Sequence, residues 1–240
     1  MSGYVDLHSH YLPGVDDGVR TLDESLRLLT GLKALGYEEV VATPHIRTAM
    51  FENRKPGLEK AFAELSSILD LKTVPKLSLA AEHYFDDVFF GLLEKDQVLP
   101  YRTNKSILVE FRYEAWPMNL EQRIFKIELA GYMPVIAHPE RYHSLFSRTD
   151  SLDPLLDAGC VTLLDTMSLV GKYGEQPKRA AERMLEEGAY DAACSDAHRP
   201  EDIDVMARAI ERLKKLVGRE EADALLGTNA RQILEGTYAP

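Results

Sequence analysis

The chain has 240 residues, of which 45% are hydrophobic and 28% are charged, enough to bury the core of one large domain or two small ones. Its net charge of −11 argues against a nucleic-acid backbone as its main partner. No apolar run approaches the ~20 residues that span a bilayer, no signal segment is recognisable at the N-terminus, and the two cysteines give no disulfide framework. We therefore expect a cytoplasmic protein without membrane insertion.

Short apolar runs alternate with longer amphipathic runs along the whole chain. In chain order we predict seven strands, at 4–7, 39–43, 77–81, 107–111, 134–137, 160–164 and 190–194. Helices are predicted between and after them, at 22–35, 57–70, 86–94, 119–130, 151–158, 176–187, 201–217 and 219–226, and a terminal turn is predicted after Asn229. Thr21 and Glu24 form a capping box at the start of the first helix.

Strands that alternate with helices indicate an α/β fold with a parallel sheet. At this length a closed barrel is favoured over an open sheet, although the pattern alone does not separate the two. No repeat, low-complexity tract or linker divides the chain, so we expect one domain over residues 1–240.

Side chains that can bind metal follow six of the seven predicted strands. The first strand runs into His8 and His10, which point to the same side because side chains alternate along a strand. Asp17 follows in the first loop, and the other strand ends carry His45, Glu82, Glu110, His138, Asp196 and His198. In a parallel barrel the carboxyl ends of the strands converge on one face, so we expect a single cluster.

Nine ligands exceed the four to six or so that one ion takes, so this set suits two or three divalent ions with bridging carboxylates. The absence of cysteine from these positions argues against a structural zinc site. Mixed imidazole and carboxylate ligands suit manganese, iron or zinc in a hydrolytic role. A lone histidine after a strand is ordinarily a surface or core residue, so the inference rests on the strand ends taken together.

The segment 44–56 after the second strand is long, basic and without clear periodicity. It is either an ordinary surface loop or a loop that shapes a substrate site. In the second interpretation, the residues that receive a peptide are Arg47, Met50, Phe51, Arg54 and Lys55. Supporting or solvated roles, rather than metal binding, are expected for Asp16, His83, His143 and Asp165.

The motifs DLHSH, TPH, AAE, AHPER and SDAH, in this order, resemble those of the polymerase-and-histidinol-phosphatase (PHP) family. Within that family the chain is most similar to the bacterial metal-dependent protein-tyrosine phosphatases encoded with capsular and exopolysaccharide genes. The stretches that carry this narrower resemblance are HSHYLPGVDDG, the ATPH…MF loop, VEF, IAHPERY and NARQIL. The resemblance covers essentially the whole chain and implies one PHP phosphoesterase domain, a distorted TIM-like barrel with seven strands.

Carried over residue by residue, the resemblance also implies three metal sites, with manganese favoured over iron or zinc. The first site is assigned to His8, His10, Glu82 and Asp196; the second to Glu82, Glu110 and His138; and the third to Asp17, His45 and His198. Arg141 matches an arginine that faces the substrate phosphate, although a surface salt bridge with Glu140 is an alternative. Relatives carry a further arginine downstream of the SDAH-like motif, and whether Arg199 replaces it stays open.

The implied reaction is hydrolysis of phosphotyrosine on a bacterial tyrosine kinase, which would regulate capsular or exopolysaccharide synthesis. Arg141 is expected to be catalytic, whereas Asp196 or His198 could act as general acid only at the cost of a ligand role. The alternatives are a small-metabolite phosphatase of the histidinol-phosphatase type and a metal-binding interaction module without turnover. A cysteine-nucleophile phosphatase is excluded, because no arginine lies six residues after Cys160 or Cys194. Family analogy leaves a homo-oligomer open.

Overall fold

A computed structural model describes residues 3–70 and 72–240, so Met1, Ser2 and Leu71 of the predicted single domain lie outside the described residues. The strands are β1 Tyr4–Ser9, β2 Tyr37–Ala42, β3 His45–Ile46, β4 Lys76–Leu79, β5 Glu82–Tyr84, β6 Ser106–Glu110, β7 Met133–Ala137, β8 Val161–Asp165 and β9 Ala192–Cys194. The helices are α1 Leu22–Ala34, α2 Lys55–Ile68, α3 Asp87–Glu94, α4 Leu120–Leu129, α5 Asp153–Asp157, α6 Glu175–Glu186, α7 Asp202–Val217, α8 Arg219–Asp223 and α9 Asn229–Glu235. Among the described residues, no helix is both long and apolar enough to cross a membrane.

The strands form two parallel sheets whose ends are joined. One sheet has the order β1-β2-β4, and the other has the order β3-β5-β6-β7-β8-β9. The His10 N–H donates to the Ala197 carbonyl, and the Asp196 N–H donates to the His8 carbonyl, each over 2.9 Å. These bonds join the end of β1 to the segment after β9, so the strand order runs around a distorted α/β barrel. The predicted fold class is confirmed.

The described residues form nine strands rather than the predicted seven, because a further short strand follows two of the predicted ones. β2 covers most of the predicted strand at 39–43, and the unpredicted β3 follows beyond Pro44, which has no N–H to donate to the ladder. Likewise β4 covers most of the predicted strand at 77–81, and the unpredicted β5 follows Ala81, whose N–H donates to the Leu99 carbonyl. His45 and Glu82 are the first residues of β3 and β5, directly after Pro44 and Ala81.

Most helix bounds agree with the prediction to within two residues. The capping box holds, because the Thr21 hydroxyl accepts a hydrogen bond from the Glu24 N–H. The predicted terminal turn after Asn229 is wrong, because α9 occupies this segment. Ala230, Ile233 and Leu234 have the spacing of one helix face, and all three are buried.

Alternate strand residues separate into two apolar clusters. Val5, Leu7, Leu108, Val135 and Leu163 belong to the smaller cluster, which also contains the buried face of α9. Apolar neighbours along β6, β7 and β8 belong to the larger cluster, for example Ile107, Val109, Ile136 and Leu164. Both faces of the strands are therefore covered, as a parallel barrel requires, and the polar site is confined to the carboxyl ends of the strands.

Candidate metal centre

All nine predicted ligand side chains lie together at the carboxyl ends of the strands. They form four overlapping groups, and within each group the possible ligand atoms are all within 4.8 Å of one another. The groups are His10, Asp17, His45 and His198; His8, His10 and Glu82; His8, His138 and Asp196; and His45, Glu82 and Glu110. The cluster expected from the strand ends is therefore present, while its division into three metal sites stays a prediction.

The Glu82 carboxylate lies at the centre of the cluster. Its Oε1 atom is 3.0 Å from His138 Nε2 and 3.4 Å from His8 Nε2. Its Oε2 atom is 2.8 Å from His45 Nδ1 and 3.7 Å from His10 Nε2. One carboxylate thus contacts four histidines, an arrangement that suits a bridging ligand.

Two further carboxylates complete the contacts with the histidines. Asp196 Oδ1 lies 3.2 Å from both His8 Nε2 and His10 Nε2. Asp17 Oδ1 lies 3.4 Å from His45 Nε2 at the more exposed side of the cluster. The cluster therefore extends from a buried floor to the solvent.

The chemistry of the donor atoms fits divalent cations. Six buried donor atoms of the cluster find no hydrogen-bond partner in the part of the chain that the structure describes: His8 Nε2, His10 Nε2, Glu82 Oε2, Glu110 Oε2, His138 Nδ1 and Asp196 Oδ1. Leaving one such atom unpaired costs about 1–3 kcal/mol, so several in one place require a common partner. Because these atoms are imidazole nitrogens and carboxylate oxygens, a metal ion is the partner they suit.

The pKa values of His45 and Glu110 indicate an electrostatic field that favours positive charge, whereas the pKa of His138 is shifted the other way. Burial lowers the pKa of His45, but the charge of Glu82 and hydrogen bonds with Asp17 and Glu82 outweigh burial and leave it well above the ordinary value. Burial and the charge of Glu82 raise the pKa of Glu110 to about 7. Burial and the charge of Arg141 lower the pKa of His138 to about 4, so this imidazole is neutral near pH 7 and keeps a free lone pair.

Residues behind the cluster orient the first two histidines. Thr43 Oγ1 lies 2.6 Å from His8 Nδ1, and Asp16 Oδ2 accepts a hydrogen bond of 2.8 Å from His10 Nδ1. Each contact leaves the Nε2 atom of the histidine facing the cluster. Asp16 therefore has the supporting geometry expected from the sequence, whereas the contact of Thr43 was not anticipated.

We expect Asp16→Ala to lower the metal affinity by about 10–100-fold, because partners behind metal-binding histidines contribute that much. Competition with a chromophoric chelator measures the affinity. Asp23→Ala is the matched control, because Asp23 is an exposed carboxylate in the first turn of α1. Equal affinities for the two variants would contradict the supporting role.

Two of the cluster residues have a strained backbone. His138 has φ 35° and Asp196 has φ 46°, in the left-handed region that non-glycine residues rarely adopt. Asp6 supports the second of these turns, since its carboxylate accepts hydrogen bonds from the Ser195 N–H and hydroxyl over 2.9 and 2.5 Å. Such strain persists only where the surroundings impose it, and it is concentrated at functional sites.

Arg141 lies at the edge of the cluster rather than at the surface. Its guanidinium donates to Asp165 and, over 2.5 Å, to Asp196 Oδ2, and it stacks 3.6 Å from the centroid of the Tyr173 ring. The alternative salt bridge with Glu140 is wrong, because Glu140 is buried and accepts hydrogen bonds from groups other than Arg141. Arg141 is thus held by two carboxylates and an aromatic face.

The other predicted substrate-binding cations are divided between two places. Arg47 lies 3.5 Å from Glu110 Oε2, and Arg199 donates to the Gly18 carbonyl; both line the cleft above the cluster. Arg54 and Lys55 do not, since they line a separate depression beside the start of α2. Of the three cations of the segment 44–56, only Arg47 therefore lines the cleft, and a role for Arg54 and Lys55 in receiving a peptide stays a prediction.

The cleft has a volume of about 520 Å³, and residues that sequence reasoning missed complete its lining. These residues are Tyr113, Lys172, Tyr173 and Asp202. Lys172 Nζ lies 2.6 Å from Asp202 Oδ1, and Asp202 Oδ2 accepts a hydrogen bond of 2.9 Å from the His198 N–H. His83 and His143, by contrast, stay outside the cleft: His83 is buried against backbone groups, and His143 is exposed.

Comparisons with known sequences identify a family model and several tyrosine-protein phosphatases that are similar to this chain. A family model described as capsular polysaccharide synthesis, CpsB/CapC, matches residues 4–235. The chain is 30% identical to the tyrosine-protein phosphatase YwqE of Bacillus subtilis strain 168 over 81% of its own length and 77% of that protein. It is 28% identical to the tyrosine-protein phosphatase CpsB of Streptococcus agalactiae over 98% of this chain and 99% of that protein.

Comparisons with solved structures lead to the same group. One match comes from crystal structures of YwqE from Bacillus subtilis and CpsB from Streptococcus pneumoniae, which are described as unique metal-dependent tyrosine phosphatases. It has a TM-score of 0.89 and 27% identity, and covers 98% of this chain and 96% of the other. The phosphotriesterase homology protein of Escherichia coli matches with a TM-score of 0.63 at 11% identity over 97% and 99% of the two chains, which shows a shared fold alone.

Proposed function

We propose that this chain, which belongs to the CpsB/CapC family of capsular polysaccharide synthesis, is a metal-dependent protein-tyrosine phosphatase. The family resemblance inferred from the sequence motifs is confirmed by this membership. The observation that carries the proposal is the cluster of nine ligand side chains, with unpartnered buried donor atoms, beneath a cleft that Arg141 lines. A phosphate monoester would enter the cleft with its phosphoryl group toward the cluster.

We further propose that the nine side chains hold two or three divalent ions, with manganese favoured over iron or zinc. When bound, such ions would lower the pKa of a water molecule to about 7 and would offset negative charge on phosphoryl oxygens. Within the chain, Glu82 and Asp196 bring negative charge to the shared centre of the cluster. The histidines around them would contribute neutral donor atoms once metal is bound. The four carboxylates of the cluster, with a charge of −4, would then balance two divalent ions and would leave a net positive charge with three.

Arg141 is proposed to bind the phosphoryl oxygens. Its planar guanidinium can donate two parallel hydrogen bonds to a phosphate, and such charge-assisted bonds strengthen as charge develops during the reaction. Asp165 and the Tyr173 ring restrict the orientation of this side chain. Arg47 and Arg199 are proposed to attract the anionic substrate at the rim of the cleft, which compensates locally for the acidic net charge of the protein.

A phosphotyrosine substrate relaxes the need for a general acid. The tyrosine hydroxyl has a pKa near 10, so it leaves as a phenolate more readily than an aliphatic alcohol leaves as an alkoxide. Asp196 and His198 both lie among the proposed ligands, which limits their use as proton donors. The catalytic role of Asp196 and His198 stays a prediction. The same holds for three further points: a bacterial tyrosine kinase as the substrate protein, the cytoplasmic location and a homo-oligomeric state.

Removal and return of metal, with two substrates, test the proposal. After exhaustive treatment with EDTA we expect hydrolysis of a phosphotyrosine peptide to fall to background, and added Mn²⁺ to restore it. The metal-loaded protein should have a higher kcat/KM for the phosphotyrosine peptide than for histidinol phosphate. Faster hydrolysis of histidinol phosphate would instead favour a metabolite phosphatase, and bound metal without turnover of p-nitrophenyl phosphate would favour an interaction module.

A further inference from the structure

The residues from Arg47 to Phe51 form a tight turn at the edge of the cleft. The Arg47 N–H donates to the Phe51 carbonyl over 2.9 Å, and the Phe51 N–H donates back to the Arg47 carbonyl over 2.8 Å. Ala49 adopts the left-handed conformation, with φ 62°, which closes the turn between them. This geometry projects Met50 outward at the tip.

The turn is anchored on both sides. The Thr48 hydroxyl donates to Asp86 Oδ2 over 2.6 Å, which connects the turn to the N-cap of α3. On the other side, the Asn53 side-chain amide donates to the carbonyls of His45 and Val15 over 2.8 and 2.9 Å. The tip is therefore held in place by hydrogen bonds to two other parts of the barrel face.

An apolar surface is kept exposed at this anchored tip. Met50 is 59% exposed and lines the cleft, and Phe51 beside it stacks on the imidazole of His45, with ring centroids 5.3 Å apart and an angle of 12° between the planes. Single exposed apolar residues are common and need no explanation by themselves. This pair differs because it lies at the mouth of a cleft whose floor is an ionic cluster.

We infer that Met50 and Phe51 form the surface that receives the aromatic ring of the substrate, and thereby select aryl over alkyl phosphate esters. The inference rests on the proposed phosphatase function. An aryl ester with its phosphoryl group on the floor of the cleft must place its ring toward the rim, where this surface lies. The thioether of methionine is well suited to contact a ring, because it is polarisable and adapts its shape.

Binding of two phosphate analogues to the metal-loaded protein separates the ring contact from the phosphate contact. The variant is Met50→Ser, and the matched control is Met118→Ser, because Met118 is 85% exposed in the loop before α4 and does not line the cleft. Inhibition constants are measured for phenylphosphonate and for inorganic phosphate, with p-nitrophenyl phosphate as the reporter substrate. Metal content is measured in parallel.

We expect Met50→Ser to raise the inhibition constant of phenylphosphonate by about 3- to 10-fold and to leave that of phosphate unchanged. Met50→Leu should restore most of the phenylphosphonate affinity, and Met118→Ser should change neither constant. Equal increases for both inhibitors, or no change for either, would overturn the inference. If the wild-type protein binds both inhibitors but does not hydrolyse a phosphotyrosine peptide, the proposed function is wrong. The two inhibition constants would still show whether Met50 contacts the ring.

Discussion

The Glu82→Gln variant is expected to lose about a thousandfold in kcat/KM toward a phosphotyrosine peptide, together with most of its bound metal. Metal ions contribute several kcal/mol to such reactions, and each 1.36 kcal/mol corresponds to a factor of ten in rate. Glu82 contacts four histidines of the cluster, so the loss of its charge affects every group that shares it. The carboxamide keeps the size of the side chain, which limits any disturbance of packing.

Metal content per protein, determined by elemental analysis, is measured beside the kinetic constants. Glu64→Gln is the matched control, since Glu64 is an exposed glutamate on α2 and takes no part in the cluster. Circular dichroism establishes that both variants stay folded. Full metal content and full activity in Glu82→Gln would remove Glu82 from the proposed centre.

The part of the site that could be predicted from the sequence is the part fixed by strand ends. A ligand such as His138 directly follows a strand, and the parallel barrel brings all carboxyl ends to one face. The pairing of His8 and His10 likewise follows from alternation along one strand. Sequence position therefore determines where these side chains lie, even without knowledge of the contacts between them.

The rest of the site depends on loops whose course the local pattern does not fix. Tyr173 and Lys172 follow β8 after a short helical turn, and only the folded structure brings Tyr173 beneath Arg141. Arg54 and Lys55 are near Arg47 in sequence, but they lie at the start of α2 and line a depression separate from the cleft. Proximity along a loop is thus a poor guide where a helix begins within the segment.

Substitution of Arg141 is also expected to have a large effect on activity, and it separates catalysis from metal binding. We expect Arg141→Ala to lower kcat by about 10²–10³-fold, the usual cost of removing one donor to a developing charge, with metal content unchanged. Arg141→Lys should recover only part of this loss, because an ammonium group cannot reproduce the two parallel bonds of a guanidinium. Metal analysis and steady-state kinetics on the same samples provide both readouts.

Tyr173 gives this prediction a graded control. Tyr173→Phe keeps the ring beneath the guanidinium and should retain nearly full activity, whereas Tyr173→Leu should lose about 2- to 30-fold in kcat, as expected for a cation–π contact. If metal content falls in Arg141→Ala, the 2.5 Å contact between Arg141 and Asp196 would serve to position Asp196 as a metal ligand. In that case Tyr173→Leu should also lose metal, and the loss of activity in both variants should be reversed by raising the metal concentration.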